Sequence, residues 1–167
     1  MPDRPECSHD DAAAWFSARL PDEWFDGPVR VVADKDEVLV IGRLRVADSS
    51  RSACEAMADR FREATRDARV AVAFDAEERW QRKVSWAVEC ADLQIRFSTA
   101  SVPVMTRLRI DERAVLDTLI DAGVARSRSE ALAWCVRLVG QHQGDWIARL
   151  RDAMQTVEQV RAEGPNL

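Results

Sequence analysis

Apolar positions along the chain change period several times, and each change marks an element. Residues 12–20 place Trp15, Phe16 and Leu20 on one side of a short helix, with Ser8 three residues ahead of Asp11 as a capping pair and Pro21 as its stop. Residues 29–32 and 38–44 are valine-rich runs on either side of Ala33 and the polar Asp34-Lys-Asp-Glu37, the pattern of a hairpin. Cys54, Met57, Ala58 and Phe61 recur at i, i+3, i+4 and i+7, a helix face whose cap is Ser49 or Ser50. Residues 70–74 are apolar enough for a strand or a buried helix, and Ala76-Glu-Glu-Arg-Trp80 after them tilts the reading to helix. Val84, Trp86 and Val88, then Leu93, Ile95 and Phe97, alternate on either side of Cys90-Ala-Asp92 and predict a second hairpin. Two hairpins with two or three helices imply a small α+β layer over residues 1–99, helices packed on an antiparallel sheet.

Residues 102–139 have a different organisation. Val102, Val104, Leu108 and Ile110 share one face of an expected strand with Thr106, and Met105, Arg107 and Arg109 the other. Asp111 and Glu112 open a helix whose stripe is Val115, Leu116, Leu119 and Ile120. Gly123 suits its C-terminal stop, and Ser127 with Glu130 forms an S-x-x-E start for the next helix. One strand and two short helices cannot enclose a core, and a lone strand leaves its backbone unpaired, so a two-fold dimer with the strand pairing to its copy is the economical solution.

Arg107-Leu-Arg-Ile110 with the following Asp-Glu, Leu119-Ile-Asp-Ala-Gly123 and Ser127-Arg-Ser-Glu-Ala131 together resemble a ribbon-helix-helix DNA-binding module. That resemblance implies an obligate homodimer whose two-stranded ribbon enters the major groove of double-stranded DNA, while the second helix holds a phosphate at its N-terminus. Carried over, Met105, Arg107 and Arg109 are base-facing, and Ser127, Arg128 and Ser129 are phosphate-facing. Beyond the module, Gly140 and Gly144 predict a break. Ile147, Leu150, Met154 and Val157 then continue as an amphipathic helix that Gly164-Pro165 closes, a stripe suited to intramolecular packing or extra dimer contact. The expected division is therefore 1–99, 100–140 and 141–167.

Composition narrows the function without naming it. The 167 residues are 47% hydrophobic and 32% charged, which excludes a disordered chain. The formal net charge of -5 runs against phosphate binding in general, but Arg107, Arg109, Arg126 and Arg128 make the module locally basic. Arg66, Arg69, Arg82 and Lys83 form a candidate secondary basic surface, with a solvated face laced by acid–base pairs as the plainer reading. Cys7, Cys54, Cys90 and Cys135 have no paired spacing, so reduced thiols in a cytoplasmic protein are expected. The N-terminal stretch lacks a signal-peptide pattern, and no run of the chain suits a membrane.

No phosphate-cradling glycine loop or histidine metal motif is present, and 34–37 lacks the spacing of a calcium loop. No catalytic role, cofactor or metal is expected. The sequence points to a dimeric, repressor-like transcriptional regulator, with residues 1–99 left to sense an effector or recruit a partner. The alternative is an adaptor protein in which the module serves only for dimerisation.

Overall fold

The computed structural model describes residues 5, 7–46 and 48–163. They fall into two units, Met1–Val104 and Met105–Leu167. The first contains α1 (His9–Ser17), β1 (Arg30–Ala33), β2 (Glu37–Arg43), α2 (Arg51–Ala64), α3 (Arg66–Trp80), β3 (Lys83–Cys90) and β4 (Leu93–Arg96). The class is α+β. The serine starts form as the sequence expects: Ser8 Oγ accepts from the Asp11 N–H, and Ser50 Oγ from the Ala53 N–H. Asp34 closes the first hairpin turn by accepting from the N–H groups of Asp36 and Glu37 at 2.8 Å each, and those bonds hold its carboxyl below the usual aspartate range.

Both expected hairpins form, but the sheet is mixed. Its order is β1-β2-β3-β4, with β1–β2 and β3–β4 antiparallel and the central β2–β3 pair parallel. The antiparallel sheet expected from the sequence is corrected at this pair. Hairpin signals are local, whereas the helices α2 and α3 between β2 and β3 supply the crossover that a parallel neighbour requires.

Register sorts the side chains into rows. Val31, Val40 and Trp86 stand opposite one another, as do Ala33, Val38 and Val84, and then Gly42, Val88 and Ile95. These rows meet Phe16 of α1, Ala58 of α2, and Ala76 and Trp80 of α3 in one core. Phe16 lies 5.8 Å from Trp80 and 5.9 Å from Trp86, centroid to centroid. On the opposite face Leu39, Ile41 and Ala87 form a smaller buried patch. Arg30 and Glu89 pair at 2.6 Å in the neighbouring rows of that face.

Three further expectations change. Cys54 of α2 and Cys90 at the end of β3 are disulfide-bonded, with Cα atoms 5.6 Å apart, while Cys7 and Cys135 are free. Four reduced thiols were expected because the bonded pair is 36 residues apart and only the crossover brings it together. Residues 70–74 are helical, yet Val70 and Phe74 are exposed rather than buried. The segment expected as a strand from Val102 has no ladder partner within the single chain and stays irregular up to Arg109.

Among the described residues of the second unit the regular elements are helices: α4 (Ile110–Asp121), α5 (Arg128–His142) and α6 (Gly144–Glu163). The expected break lies at Gln143, between the two glycines. Of the expected α6 stripe, Ile147 is half-buried, while Leu150, Met154 and Val157 are exposed in the single chain. The closing Gly164-Pro165 lies outside the described residues.

Gly42 tests the layer over the sheet. A Cβ there would overlap the Phe25 ring. Gly42→Ala should therefore destabilise the protein by about 1–3 kcal/mol through overpacking, read as a lowered urea midpoint. Thiol titration of the unreduced, denatured protein should find two of the four cysteines reactive, and four after reduction.

Candidate nucleic-acid interface

Leu108 is half-buried against a core of Leu116, Ala125 and Ala131, and its neighbours Arg107 and Arg109 are exposed. Met105 is 95% exposed. All three base-facing candidates therefore lie in solvent, but of the residues expected on the inner face only Leu108 is turned inward, and Val102 and Thr106 are exposed too. Val104 and Ile110, expected on the inner face, are exposed as well.

Arg109 is the N-cap of α4 with an extended backbone, φ -77° and ψ 173°. Its N–H donates to the Glu112 carboxylate at 2.6 Å, and Arg113 Nη1 donates to the Leu108 carbonyl at 2.6 Å. The backbone from Leu108 to Arg109 is thus fixed by side chains of the helix it enters. At the other end of α4, Gly123 takes φ +73°, and Val124 N–H returns to the Leu119 carbonyl at 2.9 Å, which turns the chain toward α5.

Ser127 caps α5, its Oγ accepting from the Glu130 N–H at 3.2 Å. Glu130 in turn accepts from the Arg126 N–H at 2.9 Å, so the expected reciprocal pair forms one residue earlier than a strict capping box. Helix geometry leaves the N–H groups of Arg128 and Ser129 without intrahelical acceptors, the arrangement that takes an anion. The Arg128 side chain is not idle. Its Nε and Nη2 donate to the two Asp117 oxygens at 2.7 Å each, a bidentate pair joining α5 to α4. That hydrogen bonding holds the Asp117 carboxyl below its ordinary value and raises the Arg128 guanidinium above its own.

The secondary basic candidates do not assemble into one surface. Arg66 is exposed, but Arg69 is buried, with Nε on Thr65 Oγ1 at 2.9 Å and Nη2 on the Arg62 carbonyl at 2.7 Å. Arg82 is half-buried and donates to the Pro5 carbonyl at 2.8 Å. Lys83 pairs with Glu77 at 2.8 Å. Sequence spacing counted the charges without showing that α3 turns Arg69 toward the sheet. Missing from that reading was an open cleft beside α3 where Arg69 meets Trp86 and Phe97; the only available signal was the unexplained apolar run at residues 70–74.

The Arg128–Asp117 pair has a pH signature. The folded Asp117 carboxyl lies below the ordinary aspartate value, so its contribution to stability is present above that value and is lost as pH falls through the folded pKa. A carboxyl-detected NMR titration should place Asp117 below ordinary aspartates, and Arg128→Ala should return it to their range.

Residues 10–96 match the family described as Rv1265-like protein, N-terminal domain, and residues 109–161 match that described as Mb1296 C-terminal domain. The gap between the two matches contains the boundary between the structural units. The chain is 52% identical over 160 residues to "Uncharacterized protein Mb1296" of Mycobacterium bovis, covering 93% of this chain and 71% of that protein. "Uncharacterized protein Rv1265" of Mycobacterium tuberculosis matches with the same identity and coverage. No solved structure matches. Neither family description names an activity or a ribbon-helix-helix module.

Proposed function

The chain belongs to the Rv1265-like protein family, and we propose that it is a dimeric, double-stranded-DNA-binding transcriptional regulator that reads the major groove with a ribbon around Met105, Arg107 and Arg109. The observation that carries the reading is the mismatch between core and surface in the second unit. Leu116, Ala125 and Ala131 are its buried apolar residues, while Ile110, Val115, Val136 and Val139 are exposed. A second copy would bury that surplus, and the segment before α4 would gain the ladder partner it lacks. The outward arginines on either side of an inward Leu108 would then line one side of a two-stranded ribbon, in reach of base edges. The free N–H groups at the start of α5 would seat a backbone phosphate.

The Arg128–Asp117 pair favours a second reading, in which the module only clasps two copies together and binds no DNA. An arginine held by a carboxylate is a weaker phosphate ligand than a free one.

Selection from random-sequence DNA with the full-length protein, followed by titration at two salt concentrations, separates the two. The regulator reading expects an enriched palindrome and a steep salt slope. Arg107→Ala should lose about 1–3 kcal/mol of discrimination at its base position, whereas Arg128→Ala should weaken binding evenly across sequences and flatten the slope. No enrichment and no retention at low salt would leave the clasp.

A further inference from the structure

Val70 and Phe74 of α3 are 62% and 68% exposed, one helical turn apart, and both border an open cleft of about 650 Å³ in the first unit. Trp86 of β3 and Phe97 just beyond β4 line the same cleft. Arg69 lines it too and is only 7% exposed. Its guanidinium carbon sits 5.0 Å from the Phe97 ring centroid and 5.9 Å from that of Trp86. The hydrogen bonds that fix it run to neutral oxygens, the Thr65 hydroxyl and the Arg62 carbonyl. Among the described residues no carboxylate forms an ion pair with it.

A buried cation with no ion-paired carboxylate is unfavourable: burial lowers the Arg69 pKa, Arg62 and Arg66 add to that, and the Glu63 charge offsets it only in part. The surroundings sharpen the imbalance. Arg62 and Arg66 also line the cleft. Of the two lining carboxylates, Glu77 is already held by Lys83 Nζ at 2.8 Å and the Val84 N–H at 3.2 Å, which leaves Glu63. The lining therefore combines three guanidiniums with aromatic and aliphatic walls. The volume lies within the range of roughly 300–1,000 Å³ that small-molecule sites occupy.

We propose that this cleft binds a small organic anion with an aromatic or apolar body, its acid group beside Arg69 and Arg66 and its body against Phe74, Trp86 and Phe97. The acid supplies the ion-pair partner that Arg69 lacks among the described residues, and the body covers the exposed apolar turn of α3. The site lies wholly within the first unit, so it stands whether or not the second unit binds DNA.

The test uses the full-length protein and two fluorescent probes of similar shape, the anionic 8-anilinonaphthalene-1-sulfonate and the uncharged N-phenyl-1-naphthylamine. Saturable binding of the sulfonate, with the neutral probe about tenfold weaker or more, is expected. Arg66→Ala and Phe74→Ala alter exposed side chains and should each weaken the sulfonate about tenfold while leaving thermal unfolding in place. Arg69→Met should abolish binding, and because its loss could disturb folding, the two exposed variants decide the matter. Equal affinity for both probes, or unchanged sulfonate affinity in Arg66→Ala and Phe74→Ala, overturns the proposal. So does a change in sedimentation of Phe74→Ala without a change in probe affinity, which assigns that turn of α3 to contact between copies.

Discussion

The parallel pairing of β2 with β3 is the constraint on which the first unit depends. A tight turn cannot join parallel neighbours, so the chain must leave the sheet after Arg43 and return at Lys83. The helices α2 and α3 make that crossing. Their course brings Cys54 to Cys90, sets Phe61 against Phe25 at 5.2 Å, and places Trp80 in the core beside Phe16. Gly42 belongs to the same arrangement, because only a residue without a Cβ lets the Phe25 ring lie this close to the sheet. The cleft beside α3 is a by-product of the crossing: α3 ends in a left-handed Gln81 and re-enters the sheet at Lys83 with one side, Val70 and Phe74, left uncovered.

The second unit answers to a different constraint. Its helices are well started and well stopped, by Glu112, Gly123 and Ser127, but local hydrogen bonds do not substitute for a core. With so little apolar surface enclosed, its helices present an unsatisfied face at Ile110, Val115, Val136 and Val139, and α6 adds Leu150, Met154 and Val157. The proposed dimer would answer it, since a two-fold axis gives each exposed patch an identical partner.

Two arginines illustrate how the units differ in charge. Arg128 is exposed and already holds Asp117, so under the proposed function a phosphate would have to exchange with a carboxylate; exposed pairs contribute little to stability. Arg69 is buried, its hydrogen bonds run to neutral oxygens, and among the described residues no ion-paired carboxylate has to be displaced from it. The first arrangement suits a contact made and released on a polyanion. The second suits a dedicated small ligand.

Much of the local structure was legible in the sequence. Ser8 and Ser127 cap where their spacing places them, Ser50 takes the cap that the sequence left between it and Ser49, Asp34 forms its turn, and Gly123 adopts the positive φ that its position suggests. Caps, turns and amphipathic faces are set by residues within a few positions of one another, so the chain states them directly. The parallel β2–β3 register, the Cys54–Cys90 bridge and the burial of Arg69 were not legible. Each joins groups separated by a whole crossover, or depends on which side of α3 meets the sheet. The segment from Val102 to Arg109 shows the same division: its alternation is written in the sequence, but a ladder needs a second strand, and the single chain supplies none.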